Sequence, residues 1–240
     1  MKVNDQTLFK VLREDGSPVY GTGSWSLPNG KPGAWMPKIA RLVPCGSGYH
    51  LARGPQVLLW LNARLFVAEH RGKLVEADNK VVVSEARLVR ELPWTPEIRS
   101  AWCADVAESV LHLFEAKYPD DDRPRKAIEA ARRYPKGHQQ RANAANAAAY
   151  AADAAYAADA AYAADAAYAA DAANAAAYAA NAAANAANAY AADAAANAAD
   201  AAYAAANAAA YAADAAYAAD AAKRAFFDRL CDYLNGVVVP

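Results

Sequence analysis

The sequence predicts an α+β protein in which a small, mixed β-rich N-terminal domain precedes an all-α, alanine-rich helical domain, arranged as a bundle or as stacked helices. All five tryptophans lie within the first 102 residues, so the large core-forming side chains are concentrated in the N-terminal part. Residues 142–222 contain only Ala, Tyr, Asp and Asn, and alanine has the highest helix propensity. The predicted domains are 1–94 and 95–240, with the repeat tract 142–222 inside the second.

The N-terminal elements are short β-type runs separated by turn signals. Strands are predicted at TLFKVL, RLVPCGSGYHLA, LFVAEHRG, KVVVSEA and RLVRELP, and turns at EDGSP and in the stretch GTGSWSLPNGKPGAW. QVLLWL follows a Gly-Pro pair and has the apolar spacing of one short helix. Together these elements predict a mixed α/β domain.

After the predicted boundary the apolar period changes to three or four residues, which indicates a helix with Ile98, Trp102 and Val106 on one face. A second helix is predicted between the acidic run at 120–122 and Pro135, because acidic residues and an early proline mark a helix start. The closing segment KRAFFDRLCDYLNGVVV has the pattern of an amphipathic helix. We expect it to pack against the helix around Trp102.

The alanine-rich tract repeats the unit AAYAAD and contains no Gly or Pro. Helix is predicted because Ala, Asp and Asn are poor strand formers. From Tyr150 to Asn174 the non-alanine residues fall at every third position, so in an α-helix their side chains would wind around the helix axis. In the later part of the tract the non-alanine residues are three or four positions apart, which keeps their side chains closer to one side of the helix. A single rod is one alternative. Two or more helices folded back are favoured, because tyrosines bury large areas.

Charge is unevenly distributed along the chain. Residues 1–95 carry 13 basic and 8 acidic side chains, while residues 142–222 carry eight aspartates and no base. The N-terminal excess is small and scattered, whereas a nucleic-acid interface needs Lys and Arg clustered on one face. No nucleic-acid partner is therefore expected.

The three cysteines, Cys45, Cys103 and Cys231, are far apart and odd in number. They are interpreted as reduced thiols of a cytoplasmic protein. No run of large apolar residues has the length of a signal-peptide core or a membrane span. No membrane partner is expected.

No motif for catalysis or cofactor binding is present, neither a P-loop nor a dinucleotide fingerprint, HExxH, CxxC or Gly-x-Ser-x-Gly. No cofactor is predicted. Cys45, His50, Glu69 and His70 could converge on a metal ion, but their spacing matches no closed zinc site, so no metal is predicted. His50 beside Tyr49 could serve in a small transferase, although a packed histidine at a strand start is the preferred interpretation.

The best polar cluster is divided between the first two predicted helices. Asp105 and Glu108 lie on the first, and Arg123, Arg125, Glu129 and Arg132 lie on the second. In an antiparallel hairpin Asp105 and Glu108 could meet Arg123 and Arg125 in bidentate pairs. We predict a structural ion network that fixes helix packing, with a partner-binding patch as the alternative.

The aspartates and tyrosines of the repeat are candidate partner-binding residues. An Asp and a Tyr three positions apart are neighbours on a helix, and they could form a solvated face, pack between helices or build a repeated recognition surface. The candidates are Asp153, Tyr156, Asp159, Tyr162, Asp165, Tyr168 and Asp171.

Residues 102–137, WCADVAESVLHLFEAKYPDDDRPRKAIEAARRYPKG, resemble an immunity-protein family of bacterial polymorphic-toxin systems, whose members continue into alanine-rich helices. The resemblance implies a protein that binds a toxin. Residues 21–92, with LVPCGSGYHL and NKVVVSEARLVREL, resemble an uncharacterised domain of phage and bacterial genomes, and that resemblance implies no activity.

We therefore predict a binding protein rather than an enzyme. In this hypothesis it belongs to a bacterial or phage conflict system and neutralises a toxin or defence effector by occupying it through the helical domain. The partner is a protein of that kind or a second copy of the chain. One alternative is a structural protein whose alanine-rich helices pack between chains. The other is a small transferase-like enzyme in the N-terminal domain.

Overall fold

The structure is a computed structural model that describes residues 2–117, 119–120, 122–132 and 215–239. The chain forms two compact units, Met1–Trp94 and Thr95–Pro240.

The first unit is a closed barrel of four antiparallel strands. The strands are β1 (Leu8–Leu12), β2 (Tyr49–Arg53), β3 (Arg64–Ala77) and β4 (Lys80–Glu91). Their order around the barrel is β1-β2-β4-β3, and β3 pairs with β1 to close it. A 3₁₀ helix, Gly54–Leu59, follows β2 directly.

One apolar cluster fills the barrel. On β4 the core positions are odd-numbered up to Val83 and even-numbered from Ala86, so the two-residue alternation of a strand changes phase there. This change falls near a register shift between Arg71 and Leu74 on β3. The cluster contains Leu8, Leu12, Leu51, Phe66, Ala68, Val81, Val83, Ala86 and Leu88, with Trp25, Tyr49 and Leu74 packed against it.

The register shift on β3 is a β-bulge that depends on glycine. Gly72 has a φ of 78°, a left-handed conformation that side chains disfavour. The buried hydroxyl of Ser84 accepts a hydrogen bond from the Lys73 N–H (2.9 Å) and donates one to the Arg71 carbonyl (3.3 Å). A Cβ at Gly72 would overlap Ser84 Oγ, so this side-chain bridge and a larger residue cannot coexist.

Residues 33–39 form a strap along the part of β4 that extends beyond β2. The N–H groups of Gly33, Met36 and Ile39 donate to the carbonyls of Leu88, Ala86 and Ser84 at 2.8, 2.8 and 2.9 Å. The donors are three residues apart and their acceptors two residues apart, so the strap follows β4 without the residue-by-residue pairing of a regular strand. The strap therefore satisfies the carbonyls on this edge of β4.

The predicted mixed α/β character of this unit is wrong, because the structure is a β-barrel whose single described helix is the 3₁₀ helix. QVLLWL is too short for an α-helix with its own hydrogen-bond ladder, and only Gln56–Leu59 of it belongs to the 3₁₀ helix. KVVVSEA and RLVRELP, predicted as two strands, contribute to the one strand β4. The buried positions of β4 change phase between Val83 and Ala86 without interrupting the strand, and that is why the pattern suggested two strands.

The second unit contains three described helices, α1 (Pro96–Lys117), α2 (Arg123–Arg132) and α3 (Ala215–Leu234). α1 packs against α2 and also against α3. Trp102 is completely buried, and its indole N–H donates to the Phe226 carbonyl at 3.1 Å. The closing helix therefore packs against the helix around Trp102, as the sequence predicts.

The predicted all-α, alanine-rich domain, arranged as a bundle or as stacked helices, is wrong as a description of this unit. A few helices form the part that the structure describes, and residues 133–214, with most of the repeat tract, lie outside it. The described helices carry large buried side chains such as Trp102, Leu111 and Phe227. Helix propensity without such packing does not define a tertiary arrangement.

Among the described helices, none combines the length and the apolar character that a membrane span requires.

Candidate functional site

Asp105 on α1 is the centre of a polar network that joins all three described helices. Its side chain is 11% exposed and pairs with Arg132 of α2 at 2.7 Å. On its other oxygen it accepts hydrogen bonds from Arg229 (2.5 Å) and Tyr233 (2.8 Å) of α3. One carboxylate thus holds three donors from two helices, and charge-assisted bonds of this kind are strong and directional.

The two donors from α3 are held in their protonated forms. The hydrogen bond to Asp105 raises the pKa of Arg229. Burial, followed by the hydrogen bond to Asp105 and the charge of Asp105, raises the pKa of Tyr233 to about 12. The Tyr233 hydroxyl therefore remains a donor throughout the neutral and mildly alkaline range.

The other residues of the predicted ion network lie on the same two helices with different partners. Glu108 pairs with Arg132, not with Arg125. Arg125 forms a bidentate pair with Glu115, and both of its bonds measure 2.7 Å. The side chain of Arg123 lies outside the described residues.

Sequence reasoning placed Arg132 in the same polar cluster as Asp105 without pairing the two, and it missed Arg229 and Tyr233 as partners of Asp105. Arg229 and Tyr233 are more than 120 positions from Asp105 along the chain, and no local spacing connects them. The available signal was their separation of four residues, which places both side chains on one face of α3. That face meets Asp105 of α1.

The seven candidate partner-binding residues of the repeat lie outside the described residues. They are Asp153, Tyr156, Asp159, Tyr162, Asp165, Tyr168 and Asp171.

The four residues considered as metal ligands do not converge in the barrel. Glu69 pairs with Arg87, and Cys45 and His50 contact each other through the Cys45 N–H, not through the thiol. His70 Nδ1 is buried with no hydrogen-bond partner. Within the described residues, no group of three or more His, Cys, Asp or Glu side chains could hold a metal ion.

His50 uses both ring nitrogens to hold the turn before β2. Its Nε2 accepts a hydrogen bond from the Cys45 N–H at 3.0 Å, so the hydrogen bond with the Gly48 backbone must come from Nδ1–H. Cys45 has a φ of 61°, an uncommon conformation for a residue with a side chain. A neutral histidine with two backbone bonds has no free nitrogen for general-base catalysis, which favours the packed-histidine interpretation.

Burial lowers the pKa of His50, and the positive charges of Lys10 and Lys80 lower it further, against the opposing effect of the Gly48 bond. A native pKa below the unfolded value of about 6.5 means that the neutral form stabilises the fold. This stability is complete above pH 6.5 and declines as the pH falls through the native pKa. We therefore expect the urea midpoint of the barrel, followed by tryptophan fluorescence, to decrease between pH 7 and pH 5.

A His50→Gln variant supplies the control, because the Gln side chain can accept the Cys45 N–H bond without titrating. Its midpoint should lose much of the parent's pH dependence. His112→Gln changes an exposed histidine of α1 and should leave the parent's dependence intact. Equal pH profiles for the parent and His50→Gln would refute this role of His50.

Comparison with known proteins finds a match for part of the second unit. Residues 98–177 match the family described as Imm-5 like putative immunity protein. The match begins at the third residue of α1, includes α2, and continues into the alanine-rich tract. The chain matches no curated protein and no solved structure. The similarity to this family therefore covers one third of the chain.

Proposed function

We propose that the chain is an immunity protein that neutralises a bacterial toxin or defence effector by binding to it and occupying it. The family match at residues 98–177 carries this proposal. Immunity by occupation requires a surface of defined shape and no catalytic group. The network around Asp105 suits this requirement, because it fixes α1 and α2 against α3, and α2 and all of α1 from Ile98 onward lie in the matched segment.

We further propose that the aspartates and tyrosines of the repeat contact the partner. All seven candidates, from Asp153 to Asp171, fall inside the matched segment. The tract 142–222 carries eight aspartates and no base, so a partner with a basic surface would be attracted to it. Tyrosine is enriched in protein interfaces.

The first test is co-expression of the chain with the products of the genes that flank its own, after selecting those that arrest growth when expressed alone. The parent is expected to restore growth and to form a complex with the purified toxin, measured by titration calorimetry. Affinity should decrease with salt, because the Debye length shortens from about 10 Å at 0.1 M to about 3 Å at 1 M. A toxin that still kills in the presence of abundant folded chain would contradict the proposal.

Two variants with equal charge changes locate the contact. One replaces the aspartates 153, 159, 165 and 171 by Asn inside the matched segment. The other replaces the aspartates 193, 200, 214 and 220 outside it. The first variant should bind the toxin more weakly than the second. Equal losses of affinity in the two variants would indicate general charge attraction. Large assemblies of the parent alone, measured by light scattering, would favour the structural alternative.

A further inference from the structure

The barrel carries a continuous strip of basic and aromatic side chains, assembled from β1, β2, β4 and the loops between them. From one end, Lys10 Nζ lies 5.1 Å from the Trp25 ring centre and donates to the His50 carbonyl at 3.2 Å. His50 Nε2 meets the Cys45 N–H at 3.0 Å. We name the strip the lysine–aromatic strip. Its members are Trp25, Lys10, His50, Cys45, Lys80, Trp60 and Tyr20.

The second half of the strip continues from Cys45 to an exposed aromatic ring. Lys80 Nζ lies 3.2 Å from Cys45 Sγ and 4.7 Å from the Trp60 ring centre. The Tyr20 ring meets Trp60 edge to face at 6.0 Å. Tyr20 is 76% exposed, so its ring face is open to solvent.

The two ammonium groups of the strip lack an acidic counter-charge. Neither Lys10 nor Lys80 forms an ion pair with a carboxylate of the described residues, whereas Arg53, Arg64 and Arg71 of the same barrel each do. Both lysines lie close enough to His50 for the positive charge of each to lower the pKa of its ring. Burial also lowers the pKa of Lys10 to about 8. A bound anion would offset this unfavourable desolvation.

We propose that the lysine–aromatic strip binds single-stranded nucleic acid, with Lys10 and Lys80 contacting phosphates and Tyr20 stacking on a base. Two unpaired ammonium groups flanked by aromatic rings match the way in which small barrels hold single strands. Tyr20 offers the open ring face that such stacking needs. This inference is independent of the proposed immunity function, because every residue of the strip belongs to the barrel unit.

The test uses the full chain and a fluorescein-labelled oligothymidine of about 12 nucleotides, a length within the usual site size of such barrels. Anisotropy titrations at several salt concentrations give the affinity and its salt slope. Each phosphate contact with a single strand contributes about 0.7 to the slope of log affinity against log salt. Lys10→Met and Lys80→Met should therefore each reduce the slope by about 0.7 while keeping the stem that packs on the indole.

Tyr20→Ala tests stacking separately from charge. Loss of one stacked base should weaken binding roughly 5- to 150-fold without changing the salt slope. Lys31→Met removes an exposed lysine of the same unit outside the strip. Its affinity for the oligothymidine should equal that of the parent. Thermal melts followed by tryptophan fluorescence verify that each variant is folded. If Lys10→Met does not fold, Lys80→Met still tests the phosphate contact and Tyr20→Ala still tests stacking.

Three results would overturn the proposal. The first is the absence of measurable binding of the parent to the oligothymidine at low salt. An equal loss for Lys31→Met and Lys80→Met would assign the binding to net charge. Competition by a duplex of the same length as effective as by the single strand would show that stacking on Tyr20 has no role.

Discussion

Replacing Trp102 by alanine is expected to destabilise the second unit by about 3–5 kcal/mol, the usual cost of removing a fully buried tryptophan. Trp102 is 0% exposed, and its indole N–H bonds the Phe226 carbonyl of α3. The variant loses both the buried ring and the bond that ties α1 to α3. Urea unfolding followed by the far-ultraviolet helical signal measures the loss, and hydrogen exchange should accelerate in α3.

Trp102→Phe separates the two contributions. It keeps most of the buried ring and leaves the Phe226 carbonyl without its donor, which should cost about 1–3 kcal/mol. If Trp102→Ala and the parent had the same urea midpoint, the packing of α1 on α3 would not stabilise the unit.

Replacing Asp105 by alanine should destabilise the second unit by about 2–3 kcal/mol. The change removes the acceptor shared by Arg132, Arg229 and Tyr233. Breaking a fully buried ion pair costs about 3–5 kcal/mol, but the two arginine side chains are 37% and 38% exposed and can recover water. Fluorescence of Trp102, the only tryptophan of residues 95–240, can follow this unfolding in a background lacking the other four.

Two exposed ion pairs provide matched controls for the Asp105 variant. The Arg125 side chain is 50% exposed, so Arg125→Ala should cost less than about 1 kcal/mol. Among the described residues, Asp228 pairs with Arg224 at the helix surface, and Asp228→Ala should cost a similarly small amount. Equal losses for Asp105→Ala and Arg125→Ala would show that the network has no special role.

Local patterns predicted the elements of the fold better than their assembly. The three- and four-residue spacing around Trp102 located α1, because a helix buries one face and its period is visible in the sequence. Closure of the barrel was not predicted, because pairing of β1 with β3 joins segments more than fifty residues apart. The bulge at Gly72 also shifted the alternation on β4, so that one strand resembled two.

The same limit applies to the site residues. Asp105 was recognised as part of an ion network, but its partners on α3 are determined by tertiary packing. The basic residues of the barrel seemed scattered, because Lys10 and Lys80 are seventy positions apart in the sequence. Folding places both beside His50. A sequence shows how many charges a unit carries, and only the fold shows which of them become neighbours.

The strap at residues 33–39 also forms the edge of the sheet along the part of β4 that extends beyond β2. A regular strand bonded to β4 would present its own outer row of donors and acceptors, and the open edge would only move outward by one strand. The strap instead donates from every third residue and is not itself a strand, so its other backbone groups do not form the alternating row that a further strand needs. We therefore expect the strap to end the β-sheet with a segment that does not extend it, and so to limit edge-to-edge aggregation.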